Sequence, residues 1–373
     1  MTIRKILATL LALSMTLSLA ACGGNSTQTD TTAPSEQTEE SSSVSDESAS
    51  DETTAENTET ETPADETEAS EPAEKVDINL AALSGPTALG MLDLLEKNEN
   101  GEAANNYNVT IATAPDEVTG KIISGELDIA AVPTNVASTL YNKTEGQVQI
   151  AALNTMGVLY VLETGDTIQS VADLAGKTIY ATGQGSTPEY ALNLVLEKNG
   201  LTPGEDVEIV FAADNAEIAP LLASGEAQVA LLPQPFVTSV LTQNENVRVA
   251  LDLTEEWDKA VNGESGLTMG CVVVRKEFAE QNKEALDRFL DEYKQSVETV
   301  TSEEGLAHAA ELAEHYNIIK AAVAEKAIPE CNIVFVEGDE MQQIAGGFLQ
   351  VLYDANPQAV GGQLPNDDFY YKR

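Results

Sequence analysis

The sequence is short of the residues that metal, thiol and nucleic-acid chemistry draw on. Two histidines, three cysteines and one tryptophan are spread over 373 residues, and 19 Lys plus Arg face 62 Asp plus Glu. A formal charge of −43 argues against nucleic acid and against docking on an anionic membrane through a basic patch. No apolar run reaches the roughly 20 residues that a membrane-spanning helix needs. His308 and His315 share one face of an expected helix with Glu311 and Glu314 nearby. Their spacing is not His-Glu-x-x-His, and acids in such a helix ordinarily form a solvated face, so no metal site is expected. There is no Gly-x-Ser-x-Gly elbow and no Gly-Lys-Ser/Thr phosphate loop. Gly183–Ser186 lacks the third glycine of a dinucleotide fingerprint. The scarcity leaves no expected metal or cofactor and no nucleophile signature.

What is present begins at the N-terminus. Arg4-Lys5 precede an apolar stretch from Ile6 to Ala21, and Cys22-Gly23-Gly24 follow. A basic segment, an apolar run and small residues at the break make a secretory signal peptide over 1–21. Leu19-Ala20-Ala21-Cys22 resembles a bacterial lipobox, which implies a lipoprotein acylated (diacylglycerol, palmitate) at Cys22. Two acyl chains bury enough methylene for stable anchoring, where one gives only marginal binding. Residues 25–75 carry 16 acids against the single base Lys75 and are otherwise mostly Ser, Thr, Ala, Gln and Pro. Such a segment buries too little apolar surface to order itself, and its like charges extend it. Residues 22–75 therefore read as a lipidated cysteine and a disordered acidic tether.

The remaining residues, 76–373, exceed what one small core usually spans, so two lobes are expected. An internal repeat supports this. YNVTIATAPDEVTGKIISGELDIAAVPTNVASTLY at 107–141 aligns without a gap with VEIVFAADNAEIAPLLASGEAQVALLPQPFVTSVL at 207–241. The two share Glu117/Glu217, Ser-Gly-Glu at 124–126 and 224–226, and Pro133/Pro233. Apolar strand, short helix, Ser-Gly-Glu turn and apolar strand describe a parallel sheet covered by helices. Further strands are expected at 76–83, 148–153, 157–162, 177–181 and 269–275. Helices are expected from Pro86 to about Lys97, at 186–198 with Asn199-Gly200 as a C-cap, and at about 276–300, 303–316, 319–327 and 338–353. The expected class is α/β, with each lobe a mostly parallel sheet flanked by helices. Two chain crossings place 76–163 plus 268–373 in one lobe and 164–267 in the other. Leu162–Gly165 and Gly266–Met269 are the expected hinges, since each offers glycine at a lobe boundary.

Leu83-Ser-Gly-Pro-Thr87, the Ser-Gly-Glu-Leu-Asp-Ile-Ala-Ala segment at 124–131 and Val171-Ala-Asp-Leu-Ala-Gly-Lys-Thr-Ile179 resemble the periplasmic-binding-protein-like type II fold. More narrowly they are similar to the nitrate/sulfonate/taurine/thiamine-precursor family of ABC-importer solute-binding proteins. The resemblance spans 76 to about 355 and rests mainly on turn and packing residues. It implies a monomer held on the extracytoplasmic face of the cell membrane, which captures a small solute and delivers it to a permease and its ATPase. A ligand-sensing surface lipoprotein would carry the same fold and anchor. Enzymes on this fold also exist, but the thiamine-pyrimidine synthases rely on a cysteine-rich iron-associated motif that this chain lacks.

In open α/β sheets, ligands bind beyond the carboxyl ends of strands, where amides and helix N-termini point outward. Three loops meet that description: Ser84-Gly85-Pro86-Thr87, Pro133-Thr134-Asn135, and Gly183-Gln184-Gly185-Ser186-Thr187. The repeat adds Gln234, beside Phe236 as an aromatic wall. Each hydroxyl or amide here either contacts the ligand or simply caps its helix. The loops hold no Lys or Arg, which favours a polar heterocycle, or a ligand whose small anionic group is held by backbone N–H alone, over a free sulfonate or nitrate, unless a distant base such as Arg248 reaches in. Trp257 and Tyr190 are candidates for stacking on a ring or for ordinary packing. Cys271 and Cys331 could pair in an oxidising exterior or serve as buried small hydrophobes.

Overall fold

The computed structural model describes residues 74–373 except Ala114 and Glu264. The signal peptide, Cys22 and the tether lie outside the described residues. The chain runs through β1 (Asp77–Leu83), α1 (Pro86–Leu89), α2 (Leu92–Glu99), β2 (Asn106–Ala112) and α3 (Pro115–Ser124). It continues with β3 (Ile129–Pro133), α4 (Thr134–Lys143), β4 (Val148–Met156), β5 (Leu159–Thr164), β6 (Thr178–Ala181) and α5 (Thr187–Lys198). Next come β7 (Glu208–Phe211), α6 (Asn215–Ser224), β8 (Val229–Pro233), α7 (Phe236–Gln243), β9 (Val247–Asp252) and α8 (Leu253–Ala260). The remainder is β10 (Thr268–Arg275), α9 (Lys276–Gln281), α10 (Lys283–Thr301), α11 (Leu306–His315), α12 (Ala321–Ala327), β11 (Ile333–Val336) and α13 (Gly338–Ala355).

The strands form two sheets, one ordered β11-β4-β10-β3-β1-β2 and the other β7-β6-β8-β5-β9. In the first, β1 pairs parallel with β2 and β3, while β10 runs antiparallel between β3 and β4. In the second, β6 pairs parallel with β7 and β8, and β5 runs antiparallel between β8 and β9. Each repeat thus becomes a strand-helix-strand-helix unit, β2-α3-β3-α4 in one sheet and β7-α6-β8-α7 in the other. The unbroken apolar runs IAAVP and VALLP become β3 and β8, each with four successive buried residues, as strands covered on both faces require.

Some expectations shift. Of Leu162–Gly165, expected as a crossing, the first three residues lie inside the second sheet, where β5 pairs with β8 through Leu162 and Glu163 and with β9 through Leu162, Glu163 and Thr164. The chain leaves β4 at Met156 and enters β5 at Leu159, so the passage between sheets runs through Gly157-Val158, ahead of the 163/164 boundary. Glycine is required there, because a Cβ at Gly157 would overlap the Thr254 side chain. The return passage ends in β10 and includes Gly266–Met269. The single helix expected over 276–300 is two, separated at Asn282 with φ −130 and ψ 41. The edge strands β9 and β11 were not expected; both pair antiparallel, to β5 and to β4.

One core is continuous across both sheets. It joins Val132 and Leu153 of the first sheet with Leu159 and Val161 of the second, and with Trp257 and Phe348. The Trp257 and Phe348 rings lie 5.5 Å apart, and the indole N–H donates to the Ser265 carbonyl at 2.9 Å. Removing a ring of this size from a packed core costs about 3–5 kcal/mol. A second cluster under α2, α10 and α11 holds the outer face of the first sheet. Among the described residues no helix is long and apolar enough to cross a membrane.

Candidate functional site

Parallel strands that feed helices leave their carboxyl ends and the following loops on one rim of a sheet. Both sheets turn such a rim toward a shared cavity of about 520 Å³. The loops after β1 and β2 contribute Ser84 and Thr113, the end of β3 contributes Pro133, and the junctions after β6 and β7 contribute Thr182–Ser186 and Ala212–Asn215. Asp116, Thr119, Thr139 and Lys143 add to the polar lining.

Of the residues singled out in the sequence, Ser84, Pro133, Gly183, Gln184, Gly185 and Ser186 line this cavity. Others lie behind it. Thr87 Oγ1 donates to the Leu83 carbonyl at 2.7 Å, closing the first turn after β1. Gly85 adopts φ 135, open to glycine alone, and Pro86 begins α1. Thr134 is fully buried, its hydroxyl bonded to that of Thr268. Asn135 and Thr187 are also buried, and the Thr187 hydroxyl donates to Asn135 Oδ1 at 3.1 Å. Thr134, Asn135 and Thr187 are therefore supports of the rim rather than its surface. Ser186 Oγ donates to the Gly183 carbonyl at 2.8 Å, a turn contact within the loop.

Gln234 is not brought to the cavity lining. It is buried, and its Oε1 accepts from the Thr238 N–H and hydroxyl at 3.2 and 2.9 Å, so it caps α7. Phe236 packs in a separate cluster of the second sheet with Ile218 and Leu222. Arg248 does not reach the cavity either. Its guanidinium bonds Glu163 at 2.9 Å and the Gly165 carbonyl at 3.1 Å on the far side of β5. Trp257 is core, and Tyr190 is half-buried against that same core. No aromatic ring is among the lining residues.

Sequence reasoning missed Thr113, Asp116, Lys143, Asp214 and Asn215. The repeat carried the signal for most of them, because residues 113–117 and 213–217 occupy matching loops. Both loops close in the same way. Glu117 Oε1 accepts from Thr113 N–H at 3.2 Å, and Glu217 Oε2 accepts from Ala213 N–H at 3.1 Å. In the loop after β6, Glu189 accepts from Gly185 N–H. Asp214 caps α6 by accepting from Glu217 N–H at 3.0 Å. Carboxylates at helix N-termini offset the partial positive charge that the peptide dipoles place there.

The two histidines bond carboxylates of another helix. His308 Nε2 lies 2.8 Å from Glu96, and His315 Nε2 lies 3.1 Å from Glu99. Hydrogen bonding to Glu96 holds the His308 imidazole above its ordinary pKa of 6.5. Cys271 and Cys331 are buried free thiols, which settles in this structure the choice between pairing and packing.

Residues 93–325 match the family described as ABC transporter, phosphonate, periplasmic substrate-binding protein. No curated protein matches the chain. Among solved structures, an ABC transporter protein from Parabacteroides distasonis is similar at TM-score 0.66 and 24% identity, covering 79% of this chain and 99% of that one. The periplasmic aliphatic sulphonate-binding protein SsuA from Escherichia coli is similar at TM-score 0.63 and 14% identity, over 79% and 92%. The alkanesulfonate-binding protein SsuA from Xanthomonas axonopodis pv. citri, bound to MOPS, gives TM-score 0.60 and 17% identity, over 79% and 96%. At these identities the likeness is one of fold, and it is the two-lobe fold that the sequence implied.

Proposed function

The chain belongs to the family of phosphonate-type periplasmic substrate-binding proteins of ABC transporters, and from that premise we propose that it captures a small polar solute in the cavity between its two sheets. As a member of this family it is the substrate-binding component of an importer, with a permease and an ATPase as partners. The observation that carries the choice of site is the convergence of five strand-to-helix junctions from both sheets on one cavity of about 520 Å³. That volume falls within the range of small-molecule sites, about 300–1,000 Å³. Ser84, Pro133 and Gly183–Ser186 would touch the solute, with Thr87, Thr134, Asn135 and Thr187 holding them in place.

The lobes we propose follow the sheets, one from β1–β4 with β10–β11 and the other from β5–β9. Solute binds one lobe and the other closes over it, hinged at Gly157-Val158 and at Gly266–Met269. Lipid attached at Cys22 and the acidic tether of 22–75 would hold the chain as a monomer on the extracytoplasmic face of the membrane. We read the chain as a binding protein and not an enzyme: Ser186 Oγ donates to a carbonyl, and both histidines sit at carboxylates of α2. The second reading, a ligand-sensing surface lipoprotein, shares fold and anchor and differs in its membrane partner.

The test is a thermal-shift screen of the full chain against sulfonates, phosphonates, nitrate, pyrimidines, amines and amino acids. A solute at about 100 times its dissociation constant adds roughly 2.7 kcal/mol of stability. A recovered, chemically unchanged solute together with a smaller radius of gyration in scattering supports capture by closure. A solute returned chemically altered would establish an enzyme instead.

A further inference from the structure

Where a chain passes between two bodies that turn against each other, the pivot is the stretch of backbone that neither body holds. The first passage between the sheets is held along most of its length. Asn332, the residue before β11, accepts from the Met156 N–H through its carbonyl at 3.1 Å and donates from Nδ2 to the Gly157 carbonyl at 3.2 Å. The peptide groups before Met156 and after Gly157 are thus fixed to the first sheet, to which β11 belongs. The next carbonyl, that of Val158, accepts from the Gln234 N–H at 3.0 Å and so is fixed to the second sheet. Between these two grips lie the φ and ψ of Val158 alone.

Glycine is the most permissive residue of a chain, and an unheld glycine here would add two soft dihedrals to the pivot. Gly157 is needed for room instead: its φ lies outside the left-handed region, and a Cβ would overlap the Thr254 side chain. The Asn332 side chain removes the freedom that this requirement would otherwise leave. Asn332 itself sits at φ 45, in the left-handed region that asparagine tolerates better than most residues. The return passage is built alike. The Trp257 indole N–H holds the Ser265 carbonyl from α8 at 2.9 Å. Thr268 is held in the first sheet by pairing with Met156 and by the Thr134 hydroxyl, which leaves Gly266-Leu267 between the grips. The two passages therefore lie side by side.

We infer that Asn332 is a positioning residue for solute capture: its side-chain amide confines the first passage to one free residue, Val158. The second lobe then turns about a single axis through Val158 and Gly266-Leu267 and closes in one register. The inference deepens the reading of the two sheets as closing lobes and rests on it.

The experiment is hydrogen exchange read by mass spectrometry, with small-angle scattering, on the full chain and on its Asn332→Gly and Asn332→Asp variants. Glycine accepts the φ of 45 and keeps the carbonyl, whereas aspartate keeps the size and has no N–H to donate. In both variants residues 156–159 and 265–269 should exchange about threefold faster. That corresponds to about 0.7 kcal/mol, low in the range for one hydrogen bond because Asn332 is exposed. The radius of gyration should rise, and exchange at the paired centre of β3 and β10 should stay as it was. Faster exchange at 156–159 alone, with 265–269 and the radius unchanged, overturns the shared axis. Faster exchange throughout the chain makes Asn332 a prop of the whole fold and overturns the inference, as does no change in either variant. Each of these leaves the solute site standing. A solute that stabilises the parent chain without altering its radius of gyration overturns lobe closure and, with it, the role of Asn332.

Discussion

The Thr187 hydroxyl donates to the Asn135 side chain at 3.1 Å, and through this bond the helix after β6 in one sheet is fastened to the helix after β3 in the other. Asn135 Nδ2 donates in turn to the Ala359 carbonyl at 3.0 Å. Both residues are buried, so neither bond is replaced readily by water. Stranding a buried polar partner costs about 1–3 kcal/mol. Asn135→Ala should therefore lower the unfolding free energy by about 2 kcal/mol, near the middle of that range. It should also enlarge the radius of gyration by loosening one sheet from the other. Thr187→Val, which leaves Asn135 its bond to Ala359, should do less. Urea titration and small-angle scattering of the two variants check the order.

Glu163 gives an acid-sensitive contact. Burial pushes its carboxyl up, but bonds from Thr167, the Ile168 amide and Arg248 outweigh this and hold it below the ordinary 4.5. A lowered native pKa means that this stabilisation is fully present above the ordinary value and is lost as pH falls through the lowered one. Glu163→Gln should cost about 2 kcal/mol at pH 7, below the range for a fully buried pair because Arg248 is about a third exposed. The variant should also lose less further stability than the parent between neutral and strongly acid pH. Urea midpoints across that range decide it.

The reverse sign applies between α2 and α11. The hydrogen bond to Glu96 raises the His308 pKa above 6.5. Its stabilisation is fully present below that ordinary value and disappears as pH rises through the raised one. More than half of the imidazole is exposed (55%), so the contribution is small, roughly 0.5 kcal/mol. An NMR titration should place the His308 midpoint above 6.5, and Glu96→Gln should bring it down. A midpoint unmoved by that substitution would remove the ion pair from the account.

Much of the architecture is readable from local pattern. The repeat sets period and turn chemistry, so β2-α3-β3 and β7-α6-β8 follow from the apolar runs and the Ser-Gly-Glu turns. Gly200, at φ 79, ends α5 where Asn199-Gly200 marks a stop. What resists local reading depends on distant partners. The edge strands β9 and β11 lie outside the repeat and become strands by pairing with β5 and β4. Gln234 looks like a cavity residue by its place in the repeat, yet its side chain turns back to cap α7. Asp116, Asp214 and Lys143 are unremarkable surface charges until the two sheets face each other. Glu117 and Glu217 were visible as shared letters, but only geometry shows that each closes its own loop.

The thiols offer a separate check. Burial raises the pKa of both Cys271 and Cys331, and thiol reagents act on the thiolate. Neither should be labelled in the native chain at neutral pH within hours, and both should react in denaturant. Peptide mapping by mass spectrometry reads each site independently. Rapid native labelling of Cys271 would show that the centre of the first sheet opens.

The position of β10 has a consequence for biogenesis. Thr268–Arg275 fills the gap between β3 and β4, so the six-stranded sheet stays in two pieces until residues beyond the whole of the other sheet have been supplied. A chain threaded outward from its N-terminus releases β5–β9 before β10. The second sheet can then close upon itself while the first still shows two unpaired edges, each able to recruit a foreign strand. During export, the half of the molecule that begins the sequence is the last to be finished.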